Sequence, residues 1–126
     1  MFNKWRKRRH FKQSHFNVTR KLWDLEFLRS KHRSMREGIR VEYDRLKERV
    51  DAAQLRLEAE NKKDKQDKKV IENLDNLVKR HGDDLTQMEK QMKSIDETIQ
   101  AKEGIDEKME GLRTVLELIK EHIKKL

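Results

Sequence analysis

An apolar stripe between Leu22 and Leu57 constrains this chain more than any other feature. Leu25, Leu28, Met35, Ile39, Tyr43, Leu46, Val50, Ala53 and Leu57 fall at steps of three and four once His32 is counted between Leu28 and Met35. That spacing keeps side chains on one side of a helix. Ile39 to Tyr43 repeats a four-residue step and reads as a stutter. Arg, Lys, Glu and Asp fill most of the other positions. A narrow stripe of this kind leaves water only when another helix covers it, so the chain is expected to be a helix in need of a partner helix. Trp23 and Phe27 widen the start of the stripe and are read as core.

Two further seams supply candidate partners. The second runs Ile71, Leu74, Val78, His81, Leu85, Met88, Met92, Ile95 and Ile99. Gly82-Asp83-Asp84 interrupts it locally, yet the register passes from Val78 to Leu85 undisturbed, which predicts a kink or bulge and no domain boundary. The third runs Ile105, Met109, Leu112, Leu116, Ile119, Ile123 and Leu126, widened by Val115 and Leu118. Ile99 to Ile105 is six residues where the heptad needs seven. Gly104 is therefore expected to cap one helix and Asp106 to help begin the next.

Between the first two seams, EAENKKDKQDKK (58–69) offers a core only Ala59. It is read as the tip of a helical hairpin, the alternative being an exposed middle section of one continuous helix. The expected fold is all-α: a long coiled-coil hairpin with a third C-terminal helix and a basic N-terminal arm. Its divisions are an arm of residues 1–17 and a helical domain of 18–126, with helices near 18–60, 68–102 and 105–126. The mixture of Ile, Leu, Met and Val along the seams leaves parallel and antiparallel packing open.

Composition agrees. The chain has no proline and four glycines, with 33% hydrophobic and 44% charged residues. That is too few apolar residues for a large central core and suits extended helical pairing. No cysteine is present, which excludes disulfides and thiolate chemistry. No apolar run reaches the length of a membrane span, and no apolar stretch follows the basic N-terminus as a secretory signal requires. The expected location is cytoplasmic or inside an assembled particle.

The net charge of +8 sits in one place. Residues 1–21 hold Lys4, Arg6, Lys7, Arg8, Arg9, Lys12, Arg20 and Lys21 and no acid, and the basic residues that follow balance the 24 acids. Phe2, Trp5, Phe11 and Phe16 interleave with these cations. On a helix Phe2, Trp5 and Phe16 share a face while Phe11 points away, so the face is imperfect. Asn17 or Thr19 is the expected N-cap of the first long helix. The candidate docking residues for an anionic partner are Lys4, Trp5, Arg6, Lys7, Arg8, Arg9, Phe11 and Lys12. Nucleic acid, through residues 1–21, and an acidic protein surface are the partner classes this pattern favours; a membrane surface ranks last. Ile105, Met109, Leu112, Leu116, Ile119 and Ile123 are the candidate contact for another helix, in a homo-oligomer or a larger assembly. Lys120, Lys124 and Lys125 are explained by the negative end of the last helix.

No phosphate loop, dinucleotide loop, nucleophile elbow or helical histidine pair occurs. No enzyme activity, cofactor, metal or small-molecule substrate is expected. The function that follows is structural: assembly or adaptor work through coiled-coil contacts, with the basic arm docking an anionic partner. The alternative is a nucleic-acid-binding accessory protein that its coiled coil dimerises.

Overall fold

A computed structural model describes residues 2–126, with the side chain of Phe2 left out; Phe2's expected place on the aromatic face therefore lies outside the described residues. The described chain is all-helical, without strands. Helix α1 spans Phe2–Asn61, α2 Lys68–Gln100 and α3 Ile105–Lys125. Two compact units form. One contains α1 up to Arg33 together with Asp96–Leu126, and the other is Ser34–Ile95.

Helix α1 begins at Phe2, well before the expected caps. Thr19 does not cap: its hydroxyl donates to the His15 carbonyl at 2.7 Å from inside the helix, and Gln13 donates to the Asn17 side chain at 3.4 Å. The reason lies in the seam. One line of buried and half-buried positions on α1 runs 11, 15, 18, 22, 25, 29, 32, 36, 39, 43, 46, 50, 53, 57 and 60, alternating four and three without a fault, with Ser14, Thr19 and Glu26 half-buried beside it. The stripe thus reaches back through Val18 and His15 to Phe11, inside the basic arm.

The same register corrects the middle of the helix. Arg29 and Arg36 occupy seam positions, while Leu28 and Met35 stand one residue off and are 39% and 53% exposed. There is no stutter. Arg29 is accommodated because its guanidinium donates to the Asp106 carboxylate at 3.2 Å. Trp23 and Phe27 are 62% and 73% exposed, so they face water and are not core.

In the Ser34–Ile95 unit the core is Val50, Ala53, Leu74 and Leu85. The Tyr43 hydroxyl reaches from α1 to the Glu89 carboxylate of α2 at 2.7 Å. The link 62–67 is closed by two carboxylates. Asp67 accepts from the N–H groups of Lys69 and Val70 at 3.1 and 3.4 Å, which makes it the N-cap of α2. Glu60 accepts from the Asp67 N–H at 3.0 Å and pairs with Lys63 at 2.9 Å. The Lys63 contact first, then the Asp67 N–H, hold the Glu60 carboxyl below its ordinary value. Helix α2 passes through Gly82 unbroken.

In the other unit Leu22, Ile99, Ile105 and Met109 form the core, and Met109 is fully buried. The link 101–104 departs from expectation in detail. Glu103, not Gly104, takes the left-handed conformation, at φ 64°. Gly104 is the N-cap of α3, at φ −77° and ψ −177°. Its carbonyl accepts from Lys108, and Glu107 reaches back to accept from the Glu103 N–H at 3.1 Å. Glycine is required there by crowding: a Cβ on Gly104 would lie 2.7 Å from the Ala101 carbonyl oxygen and 2.9 Å from that of Thr98.

Candidate anion-binding surface

The unit holding both chain ends places the basic segment against α3. Phe11 is the anchor. It is half-buried, and its ring lies 5.5 Å from that of His122 on α3 and 5.8 Å from that of His10. Lower on the two helices, Arg29 meets Asp106 and Glu26 approaches Arg113 at 3.9 Å. These contacts pair low numbers on α1 with high numbers on α3, so the two helices run antiparallel within this unit and the start of α1 lies beside the end of α3.

The consequence is a merger of two basic clusters that are far apart in sequence. Arg6, Lys7, His10 and Phe11 share a depression with His122, Lys125 and Leu126. Lys12 and His15 share the next one with Lys120, Ile123 and Lys124. The lysines of α3, which helix-dipole chemistry alone would explain, also enlarge the cationic surface begun by the N-terminal segment. On the outer side of α1, Trp5, Arg8, Arg9, Lys12, Gln13 and Phe16 line a third depression. There the Arg9 guanidinium sits over the Trp5 ring, 5.5 Å from its centroid, a cation–π contact. Lys4 is exposed near the start of the same helix.

The eight docking residues proposed from sequence therefore do not form one set. Arg6, Lys7 and Phe11 face α3, whereas Trp5, Arg8 and Arg9 face outward, with Lys12 bordering both surfaces. Sequence reasoning missed His10, His15, Lys120, His122, Lys124 and Lys125. The available signal was the four-three spacing of Phe11, His15, Val18 and Leu22, which continues the seam into the arm.

The candidate helix-contact residues are engaged inside the chain. Ile105 and Met109 are buried, and Leu112, Leu116, Ile119 and Ile123 are half-buried. Leu112 shares an apolar groove with Leu25 of α1. Val115 and Leu118, 43% and 53% exposed, are the apolar residues α3 still presents to solvent.

Among the described residues no group of His, Asp and Glu could hold a metal ion, and no helix is long and apolar enough to cross a membrane. Comparison with protein-family models, curated proteins and solved structures gives no match to this chain.

Proposed function

We infer that this chain is a non-enzymatic structural protein of the assembly or adaptor kind, which docks an anionic partner through its basic end. In this reading α1 and α2 pair as a coiled-coil hairpin, α3 returns along the start of α1, and Val115 and Leu118 contact a further helix in a homo-oligomer or larger assembly. One observation carries the docking half: Arg6, Lys7 and Lys12 of α1 stand beside Lys120, Lys124 and Lys125 of α3. Like charges gathered this way repel, and an anionic partner relieves the repulsion. Helix pairing requires Phe11 and Leu22, but it does not require their cationic neighbours.

The second reading, a nucleic-acid-binding accessory protein, draws on Trp5 and Phe16 with Arg8, Arg9 and Lys12 between them. Cations tracking phosphates between aromatic rings are a known arrangement for single strands.

Binding to heparin, a labelled duplex and a labelled single strand across a salt series tests both. The intact chain is compared with a variant carrying Arg6→Glu, Lys7→Glu, Lys124→Glu and Lys125→Glu. All four positions are exposed, so helicity should be retained. The docking reading requires binding that weakens with salt and is lost in the variant. Equal binding by both chains removes it. In parallel, Val115→Glu with Leu118→Glu should reduce particle size in solution; unchanged size removes the assembly half.

A further inference from the structure

Four large aromatic side chains stand on the outer face of α1 in the unit that holds its start: Trp5, Phe16, Trp23 and Phe27, from 58% to 73% exposed. Their spacings of eleven, seven and four residues are close to three, two and one whole turns of a helix. All four therefore lie within a sector of roughly 40°, in a straight line about 33 Å long at the usual helical rise. Arg9, Lys12 and Arg20 are exposed and share that face, and by the same count no acid between Trp5 and Phe27 falls on it. Exposed apolar patches of this extent mark interaction surfaces.

Phe11 had made the amphipathic face look imperfect in sequence. The structure removes that objection, because Phe11 turns inward against His122. Resting on the reading that this end of the chain docks an anion, we propose that the docked partner is an anionic lipid bilayer. The chain lies on it along the Trp5–Phe16–Trp23–Phe27 line, with rings at the headgroup boundary and Arg9, Lys12 and Arg20 at the phosphate level. This reverses the rank that the sequence alone gave to membranes.

Three arguments select the bilayer. A second copy meeting this face would set Arg9, Lys12 and Arg20 against their own counterparts with no acid to pair them. A nucleic-acid strand accounts for Trp5 and Phe16, where cations are dense, but not for Trp23 and Phe27, where they thin out. A bilayer surface is flat, accepts rings without a fixed repeat, and favours Trp at its interface with Lys and Arg beside it. Each basic residue near an anionic leaflet strengthens binding about fivefold.

Trp5 and Trp23 are the only tryptophans of the chain, so its intrinsic fluorescence reports this face alone. The test uses the full chain with vesicles of phosphatidylcholine and of phosphatidylcholine mixed with phosphatidylserine, scored by co-sedimentation and by tryptophan emission. The expected result is binding to the anionic vesicles with a blue shift of emission. Phe16→Ser with Phe27→Ser, which keeps both reporters and touches only exposed positions, should weaken that binding by about tenfold or more. Circular dichroism confirms that the variant folds. Binding without a blue shift, or undiminished in the double variant, overturns the proposal. If the chain ignores the vesicles yet still binds heparin or a labelled duplex, the bilayer is wrong and anion docking stands. If it binds none of these, both fall.

Discussion

Replacing Gly104 by alanine tests the junction between α2 and α3 most sharply, because backbone preference and packing predict opposite signs. At φ −77° and ψ −177° the residue sits in extended backbone open to any side chain. By conformational entropy alone, Gly104→Ala would stabilise the chain by about 0.4–1 kcal/mol. Packing opposes this. The added Cβ would meet three carbonyl oxygens, Ala101 at 2.7 Å, Thr98 at 2.9 Å and Ile99 at 3.0 Å. None is the movable end of a side chain, so relief requires shifting the last turn of α2 or the entry of α3, where Ile105 and Met109 are buried. Overpacking of this kind costs about 1–3 kcal/mol. The net expectation is a loss of roughly 1–2 kcal/mol, about 3–10 °C in melting temperature for a chain of this size. The neighbouring change should have the opposite sign. Glu103 is left-handed, a conformation costing a non-glycine residue about 1–2 kcal/mol. Glu103→Gly should therefore stabilise by up to about 1 kcal/mol after the added freedom of the unfolded chain is subtracted. Urea unfolding followed by far-ultraviolet circular dichroism measures both. An unchanged or raised midpoint for Gly104→Ala would refute the crowding argument, and a lowered midpoint for Glu103→Gly would refute the strain argument.

Three further outcomes follow from individual contacts. The Glu60 carboxyl is held low by Lys63 and the Asp67 N–H, so its stabilising share is complete above the ordinary carboxylate value and disappears as pH falls through the lowered one; Glu60→Gln should flatten acid unfolding curves over that range. The hydrogen bond from Tyr43 to Glu89 raises the phenol, so that contribution is present below the ordinary phenol value and lost as pH rises through the raised one. An ultraviolet titration of this single tyrosine should show late ionisation in the folded chain, moved back toward the ordinary value by Glu89→Ala, with desolvation and the charges of Asp44 and Asp51 keeping part of the rise. Leu28→Lys and Met35→Lys, off the seam, should each change stability by less than about 0.5 kcal/mol, whereas Leu22→Ala should cost about 2–4 kcal/mol; chemical unfolding that ranks them otherwise contradicts the register.

The helical class was legible because the signal repeats. Three seams with four-three steps and no proline leave little else for the chain to be. The start of α1 was misread, because Asn17 and Thr19 carry cap chemistry by type, while the four-three spacing of Phe11, His15, Val18 and Leu22 carries the seam past them. The register at Arg29 was hidden for a related reason. Leu28 is the natural seam residue by hydrophobicity, but the covering helix supplies Asp106 to Arg29, a partner far away in sequence. The basic surface was half legible: charge density marks the N-terminal segment at once, but bringing Lys120, Lys124 and Lys125 beside it requires the antiparallel return of α3. The outward course of Trp23 and Phe27 defied the rule that aromatics at helical spacing are core, since spacing identifies a face and does not say which face is covered.

The unbroken stripe along α1 also limits how a chain like this can change in length. Its first part is covered by α3 and its later part by α2, so one count of residues serves two different partners. Inserting a single residue within either part would rotate the seam positions beyond it by roughly 100° against the helix that covers that part and turn them toward water. Insertions or deletions of seven would leave the stripe in line, subject to matching changes in the covering helix. The link 62–67, exposed throughout, can absorb other lengths, while the crowded turn at Gly104 cannot. Natural variants of this chain should therefore differ in α1 by multiples of seven and put their irregular changes near residues 62–67.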